Sequence, residues 1–356
     1  MGRPTVITVF NQKGGVGKTT TSVNIAICLA AFGKRVALID LDSQSNATTN
    51  LGVTPPVATG AYHLITERVP FSECLRKTPY DGVLLVGGSD ELAWTDIELA
   101  LKPNPEAGLT RAFEAMPPNM DFIVIDCPPA PGVVSVNALV AADVVLMPVM
   151  PSPHALDGLH KAWWNVNRVR THFNRDMHTV NILLTMTEDG DLTKRLSEDI
   201  IAEFGSRVMP VLVPRDNVVI EAAARDLPIA VLATGSPPTR AYLRVADLLL
   251  ARTHHMTADA PRDGAPDREE ALAQLEEWRN AVGNLPAHAP QQPRNAEQAP
   301  APVPGWAAED GEDAPAQPSA WGWKLGVALM LIVLGAVLGF AVAMAVLNGS
   351  DVTLPA

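Results

Sequence analysis

Along the first 250 positions, short apolar runs alternate with longer stretches in which apolar residues recur at helical spacing. The runs are TVITVF (5–10), RVALID (35–40), GVLLV (82–86), DFIVID (121–126), DVVLMPV (143–149), VNILLTM (180–186) and RVMPVLV (207–213). Each is continuous rather than alternating and rich in Val, Ile or Leu, the pattern of a strand buried on both faces. Between them the pattern predicts helices at 18–32, 90–101, 133–141, 155–172, 191–204, 217–225 and 238–252. Strands separated by helices pair in parallel, so the expected fold is α/β, a doubly wound, mainly parallel sheet. In such sheets ligands bind beyond the carboxyl ends of the strands. Three polar segments fall there: residues 11–20, Asp40–Asp42 and Asp126.

The pattern changes after residue 250. Residues 251–324 contain ten Pro and 17 Ala and few large apolar side chains, too few to offset the entropy of ordering the chain. One stretch differs. DREEALAQLEEWRNAV (267–282) sets Leu272, Leu275, Trp278 and Val282 on one helical stripe, expected to rest on the chain's own domain, with a partner site as the other reading. Residues 325–347 form 23 consecutive positions without a charged or polar side chain. At ~1.5 Å per residue they would span ~34 Å, enough for a hydrocarbon core of ~30 Å. Trp321 and Trp323 precede this stretch as an interfacial pair, and Lys324 is its only flanking cation. The cation lies on the N-terminal side, which places the preceding domain on the cytoplasmic face of the membrane. Gly335 and Gly339 make a GxxxG pair, extended by Ala343, that suits close helix packing. The expected organisation is a domain at 1–252, a Pro/Ala-rich acidic linker at 253–324, a transmembrane helix at 325–347 and a short tail at 348–356.

Charge divides along the same lines. Residues 1–250 carry 21 Lys and Arg against 26 Asp and Glu, and residues 251–324 carry 6 against 12. No block is basic, so the electrostatic footprint usual for a nucleic-acid binder is missing, although a small local patch is compatible with these totals. Cys28, Cys74 and Cys127 show neither a disulfide framework nor metal-ligand spacing, which fits a reducing compartment.

The chemistry starts at NQKGGVGKTTT (11–21). A phosphate-binding loop ordinarily reads G-x-x-x-x-G-K-[ST]; here Gln12 occupies the first Gly position and Lys13 stands inside the loop. Gly14, Gly15 and Gly17 follow a strand and precede a helix, where backbone N–H groups can wrap a phosphate. Gly14, Gly15, Val16, Gly17, Lys18, Thr19 and Thr20 are thus candidate nucleotide-binding residues. Lys18 is placed to reach the β- and γ-phosphates and Thr19 to set its hydroxyl on Mg2+. Asp126, ending a hydrophobic strand, suits the outer shell of the same metal.

KGGVGKTT, VALIDLDSQSNATTNLG and FIVIDCPPAPG followed by NALVAADVVLMPV resemble the ParA/MinD family of deviant-Walker P-loop ATPases. The likeness extends over about residues 4–250 and includes VGGSDELAWTDIELA, HALDGL and VPRDNVVIEAAARDLPI. It implies ATP and Mg2+ as cofactors and an ATP-dependent homodimer. In that dimer Lys13, like the family's signature lysine, reaches the partner's bound phosphates. It also implies that Asp42 positions the attacking water and that Asp40 lies near the magnesium. Lys13, Lys18 and Asp42 are accordingly the catalytic candidates, and Thr19, Asp40 and Asp126 the metal candidates.

Departures from the family pattern shape the functional expectation. The family's Asp-Pro-Gln reads Asp42-Ser43-Gln44, which loosens that loop and bears on turnover rather than on nucleotide binding. DNA-binding relatives carry basic residues where this chain has TMTEDGDLTKRL and PRDNVVIEA, the second basic position being Val218. Candidate DNA contacts reduce to Lys194, Arg195, Arg215 and Arg240, whose alternative is a solvated surface. The expected activity is slow, partner-stimulated ATP hydrolysis that partitions or positions cargo, either DNA or a membrane-associated machine. A ParB-like adaptor or activator is the expected partner. The protein is expected at the bacterial inner membrane as a single-pass, tail-anchored chain. The alternative is a membrane scaffold that uses bound ATP as a dimer clamp with little turnover. A bacterial tyrosine kinase is disfavoured, because Tyr62, Tyr80 and Tyr242 are the only tyrosines.

Overall fold

The computed structural model of the chain describes residues 3–116, 119–253 and 267–283. The expected seven strands are present, with one addition: β1 Thr5–Val9, β2 Val36–Asp40, β3 Leu75–Lys77, β4 Val83–Val86, β5 Phe122–Asp126, β6 Val144–Val149, β7 Thr179–Thr187 and β8 Val208–Pro214. They form one sheet in the order β3-β4-β2-β5-β1-β6-β7-β8. Neighbours run parallel throughout except β3 and β4, which pair antiparallel. β3 escapes sequence reading because it is three residues long, lies at the sheet edge and contains Arg76 and Lys77.

Thirteen helices connect and cover the strands among the described residues. They are α1 Lys18–Ala31, α2 Asn46–Asn50, α3 Ala61–Ile65, α4 Phe71–Cys74, α5 Leu92–Ala100, α6 Gly108–Glu114, α7 Val133–Val140, α8 Ala155–His172, α9 Asp191–Phe204, α10 Asn217–Ala224, α11 Ile229–Leu232, α12 Pro237–Thr253 and α13 Arg268–Gly283. The continuous apolar runs have the expected cause. Val6 and Ile7, or Leu38 and Ile39, point to opposite faces and enter separate apolar cores. One core packs α1, α11, α12 and α13 on the sheet, and the other packs α5, α7 and α8. Helices on both faces leave the strand ends as the place where polar groups can gather.

α13, in the stretch where a helix is expected at 267–282, packs against the domain. Ala271, Leu275 and Trp278 are buried in the core that contains α1, with Leu272 and Val282 half-buried beside them. The Trp278 ring meets Tyr80 edge-on, 5.8 Å between centroids. The compact unit accordingly includes α13. α13 is a helix of 16 residues whose apolar positions share one face. The candidate transmembrane stretch 325–347, the rest of the linker and the tail lie outside the described residues. Among the described residues no helix is long and apolar enough to cross a membrane.

Candidate nucleotide site

The central strands bring the separate polar segments together. Val9, Asp126 and Asp40 are register partners across β1, β5 and β2, so both carboxylates stand at adjacent strand ends beside the loop that follows β1. That loop is held from several directions. Asn11 Nδ2 donates to the Pro148 carbonyl at 2.8 Å, and its Oδ1 accepts the Lys13 N–H at 3.0 Å. Thr185 Oγ1, at the end of β7, donates to the Val16 carbonyl at 2.9 Å.

Two glycines satisfy a backbone requirement. Gly15 and Gly17 have φ of 71° and 85°, in the left-handed region where a side chain is strained, and Gly17 hands the chain to α1. A Cβ at Gly14 or Gly15 would meet nothing within 4 Å, so the loop faces open space rather than protein. The first N–H groups of α1 are thereby available to a phosphate. Lys18 arches across the mouth, its Nζ 3.1 Å from the Lys13 carbonyl. Burial lowers the pKa of this amine, while the charges of Asp126, Cys127 and Asp42 oppose the shift.

Asp126 accepts two hydroxyl hydrogen bonds at 2.8 Å, from Thr19 and from Ser22. Asp40 accepts from the Thr48 hydroxyl at 2.7 Å, the Thr48 N–H at 2.8 Å and the Asp42 N–H at 3.2 Å. Both carboxylates are fully buried. Burial, and then the charge of Asp40, pushes Asp126 up to about 7. Burial likewise pushes Asp40 up to about 6 against its hydrogen bonds. A divalent cation beside this pair would reverse the effect, because it supplies the charge that burial makes scarce. No group of three or more His, Cys, Asp and Glu able to hold a metal occurs among the described residues. The Thr19 hydroxyl and the carboxylates of Asp126 and Asp40 are oxygen donors of the kind that fit magnesium, which takes one or two protein oxygens and completes its shell with phosphates and water.

Asp42 is half-buried at the same mouth, with its Oδ1 accepting the Gln44 N–H at 3.0 Å. Lys13 Nζ donates to Ser152 Oγ at 3.0 Å, in the segment between β6 and α8. The expected residues Lys13, Lys18, Thr19, Asp40, Asp42 and Asp126 thus surround one opening. Thr48, Ser22 and Thr185 were missed by sequence reading. Thr48 also links Asp40 to the Gly88 N–H, at 2.8 Å, but nothing in its own neighbourhood marks it. Gly132, just after the Asp126 strand, passes under α5: a Cβ there would lie 1.9 Å from the Asp96 carboxylate, which caps α7 through the Val134 N–H at 2.8 Å.

The candidate DNA contacts separate. Lys194 and Arg215 line one groove between α9 and β8, and Arg195 and Arg240 are not part of its lining. Arg215 is ion-paired with Glu188 at 2.5 Å, and the Arg240 guanidinium donates to the Gly235 carbonyl.

A phosphate loop at the end of a central parallel strand, a lysine over its mouth and a hydroxyl–carboxylate pair for magnesium define a P-loop ATPase. The AAA domain family matches residues 4–179. The sporulation initiation inhibitor protein Soj of Bacillus subtilis is 37% identical over 243 residues, 68% of this chain and 96% of that protein. The chromosome partitioning protein ParA of Caulobacter vibrioides is 34% identical over 259 residues, 72% of this chain and 97% of that protein. Among solved structures, cobyrinic acid a,c-diamide synthase from Mycobacterium smegmatis with bound ADP and magnesium superposes with a TM-score of 0.60 at 28% identity, covering 72% of this chain and 97% of that one. A Cyanothece McdA–ATP complex shares the fold, with a TM-score of 0.64 at 18% identity over 70% of this chain and 98% of that one. The chain belongs to the ParA/Soj family of P-loop ATPases, with ATP and magnesium as its cofactors.

Proposed function

We propose that the protein is a membrane-anchored partitioning or positioning ATPase that dimerises with ATP and is reset by hydrolysis. The observation that carries the reading is the convergence of Lys13, Lys18, Thr19, Asp42 and Asp126 on one open mouth. Magnesium, when bound, neutralises phosphate charge. Lys18 holds the β- and γ-phosphates, and the N–H groups of Gly15–Thr20 wrap them. Thr19 and Asp126, hydrogen-bonded to one another here, would hold the cation. Asp42 orients a water for in-line attack, which requires position more than basicity. Lys13, half-exposed on the loop, extends to the phosphates of a second copy, so the site is complete only in the dimer. Asp40 transmits the state of the phosphates to α2 through Thr48.

The apolar stretch 325–347 supports anchoring in the inner membrane, with the ATPase unit on the cytoplasmic side. The cargo is DNA or a membrane-associated machine, and a ParB-like protein is the proposed activator. The name of the Caulobacter vibrioides relative supports partitioning. A scaffold with little turnover is the second reading, favoured by Ser43 and by the engagement of Asp42 with its own backbone. Asp42→Ala in the full-length protein tests both. Retained ATP binding, a persistent ATP-dependent dimer by cross-linking and at least a tenfold loss of phosphate release support the switch. A wild-type chain that binds ATP but releases no phosphate, with or without partner, supports the scaffold.

A further inference from the structure

Helices α5, α7 and α8 pack on the same side of the sheet, with α7 in contact with both of the others. On α5 the buried positions Leu92, Thr95 and Leu99 lie opposite Trp94, Ile97 and Leu101, which are 70%, 62% and 85% exposed. At 3.6 residues per turn those three form one stripe that points away from the sheet, with Ala93 and Ala100 exposed beside them. α7 has no charged residue, and its Val133, Val136 and Val140 are half-buried.

α8 turns a different surface outward. Its buried positions Leu159, Ala162, Val166 and Val169 lie opposite Lys161, Trp164 and Arg168, which also point away from the sheet. Trp164 is 56% exposed, and the Arg168 guanidinium stacks on its ring at 4.6 Å. The helix sets Lys161, Arg168 and Arg170 against one carboxylate, Asp157. None of the three cations has an ion-pair partner among the described residues. One side of the unit is thus apolar at α5, uncharged at α7 and cationic at α8, with an exposed Trp on each outer helix.

The combination selects its occupant. Nucleic acid gains from the cations of α8 but not from the apolar stripe of α5, because neutralisation of phosphate dominates its binding. A second copy packed about a two-fold axis would set cations against cations, or cations against the stripe. A bilayer surface takes both parts: aromatic and aliphatic side chains at headgroup level, and Lys and Arg against anionic lipid.

We propose that the α5–α7–α8 face is the surface that the ATPase unit lays on an anionic lipid bilayer. Trp94, Ile97 and Leu101 enter the headgroup region, while Lys161, Arg168 and Arg170 hold the anionic headgroups. The fit of the face to lipid stands on these helices alone; that a bilayer is close at hand rests on the anchoring by residues 325–347 proposed above.

The test uses the full-length chain with Ile97→Cys carrying a polarity-sensitive fluorophore. Cys28, Cys74 and Cys127 are buried, so the added thiol is the one that reacts. The labelled chain is mixed with vesicles of phosphatidylcholine alone, or of equal parts phosphatidylcholine and phosphatidylglycerol. A blue shift is expected with the anionic vesicles and a much smaller one with the neutral vesicles. The same probe at Glu276→Cys, on α13 across the sheet, should not shift. Lys161→Gln combined with Arg168→Gln should lower the ratio of docked to free units roughly thirtyfold, about fivefold for each cation removed. No shift, an equal shift in neutral vesicles, or one indifferent to the paired substitution overturns the proposal. So does a shift produced without vesicles, by duplex DNA or by raising the protein concentration. A carbonate wash separates this face from the anchor. A chain that shifts with anionic vesicles but is released by carbonate refutes the anchor and leaves the face standing. A carbonate-resistant chain without the shift refutes the face and leaves the anchor.

Discussion

At the scale of single residues, the site depends on placing charge where water is scarce. Lys18 is only 7% exposed and sits over a loop that otherwise offers backbone dipoles. Lys18→Ala is expected to reduce ATP affinity at least a hundredfold, measured by equilibrium binding, because a charge-assisted contact to the phosphates disappears. Asp126 and Asp40 give a pH signature. Their folded pKa values lie above the ordinary carboxylate value, so the fold binds protons that the unfolded chain has released. Without nucleotide, stability is therefore expected to fall as pH rises from about 4 to about 7 on account of this pair. Magnesium and ATP should flatten that slope. Thermal midpoints across this range, with and without Mg-ATP, check the sign.

At the scale of elements, α13 is part of the ATPase unit. It rests on α1, the helix that begins at the phosphate loop, and on α11, with Trp278 against Tyr80. Trp278→Ala removes a side chain that is 5% exposed and is expected to cost ~3–5 kcal/mol, read as a lowered denaturation midpoint. Glu276→Ala, on the exposed side of the same helix, should change it by less than ~0.5 kcal/mol. Equal effects would mean that α13 contributes nothing through its buried face. The missed elements have a common cause. α2, α3, α4, α6 and α11 have seven residues or fewer, too short to show a period, and they are fixed by contacts such as Thr48 with Asp40 and Gly87 with Ala61.

At the scale of the whole molecule, the ATPase unit precedes an acidic segment and an apolar stretch of 23 residues. Deleting 325–347 is expected to move the protein from carbonate-resistant membranes into the soluble fraction. The acidic segment should not hold an anionic bilayer by itself. Persistence of the truncated protein in the carbonate-washed pellet would contradict the anchor.

The sequence by itself determined seven of the eight strands and the order along the chain of the residues proposed to meet phosphate. Those features are local: a buried parallel strand is a continuous apolar run, and Gly15, Gly17, Lys18 and Thr19 act within one turn of chain. The ends of β1, β2 and β5 could be placed together because the α/β pattern itself puts strand ends on one edge. The tertiary structure alone decided the rest. Ser22 and Thr19 reach Asp126 across more than a hundred residues, Thr185 reaches Val16 across 169, and Trp278 finds Tyr80 from beyond the expected domain boundary. It also decided the character of the α9–β8 groove. Lys194 and Arg215 read as basic positions along the chain, yet folding surrounds them with carboxylates from three segments and pairs one of them with Glu188. A side chain's charge is written in the sequence; the field it stands in is a sum over neighbours that only the fold assembles.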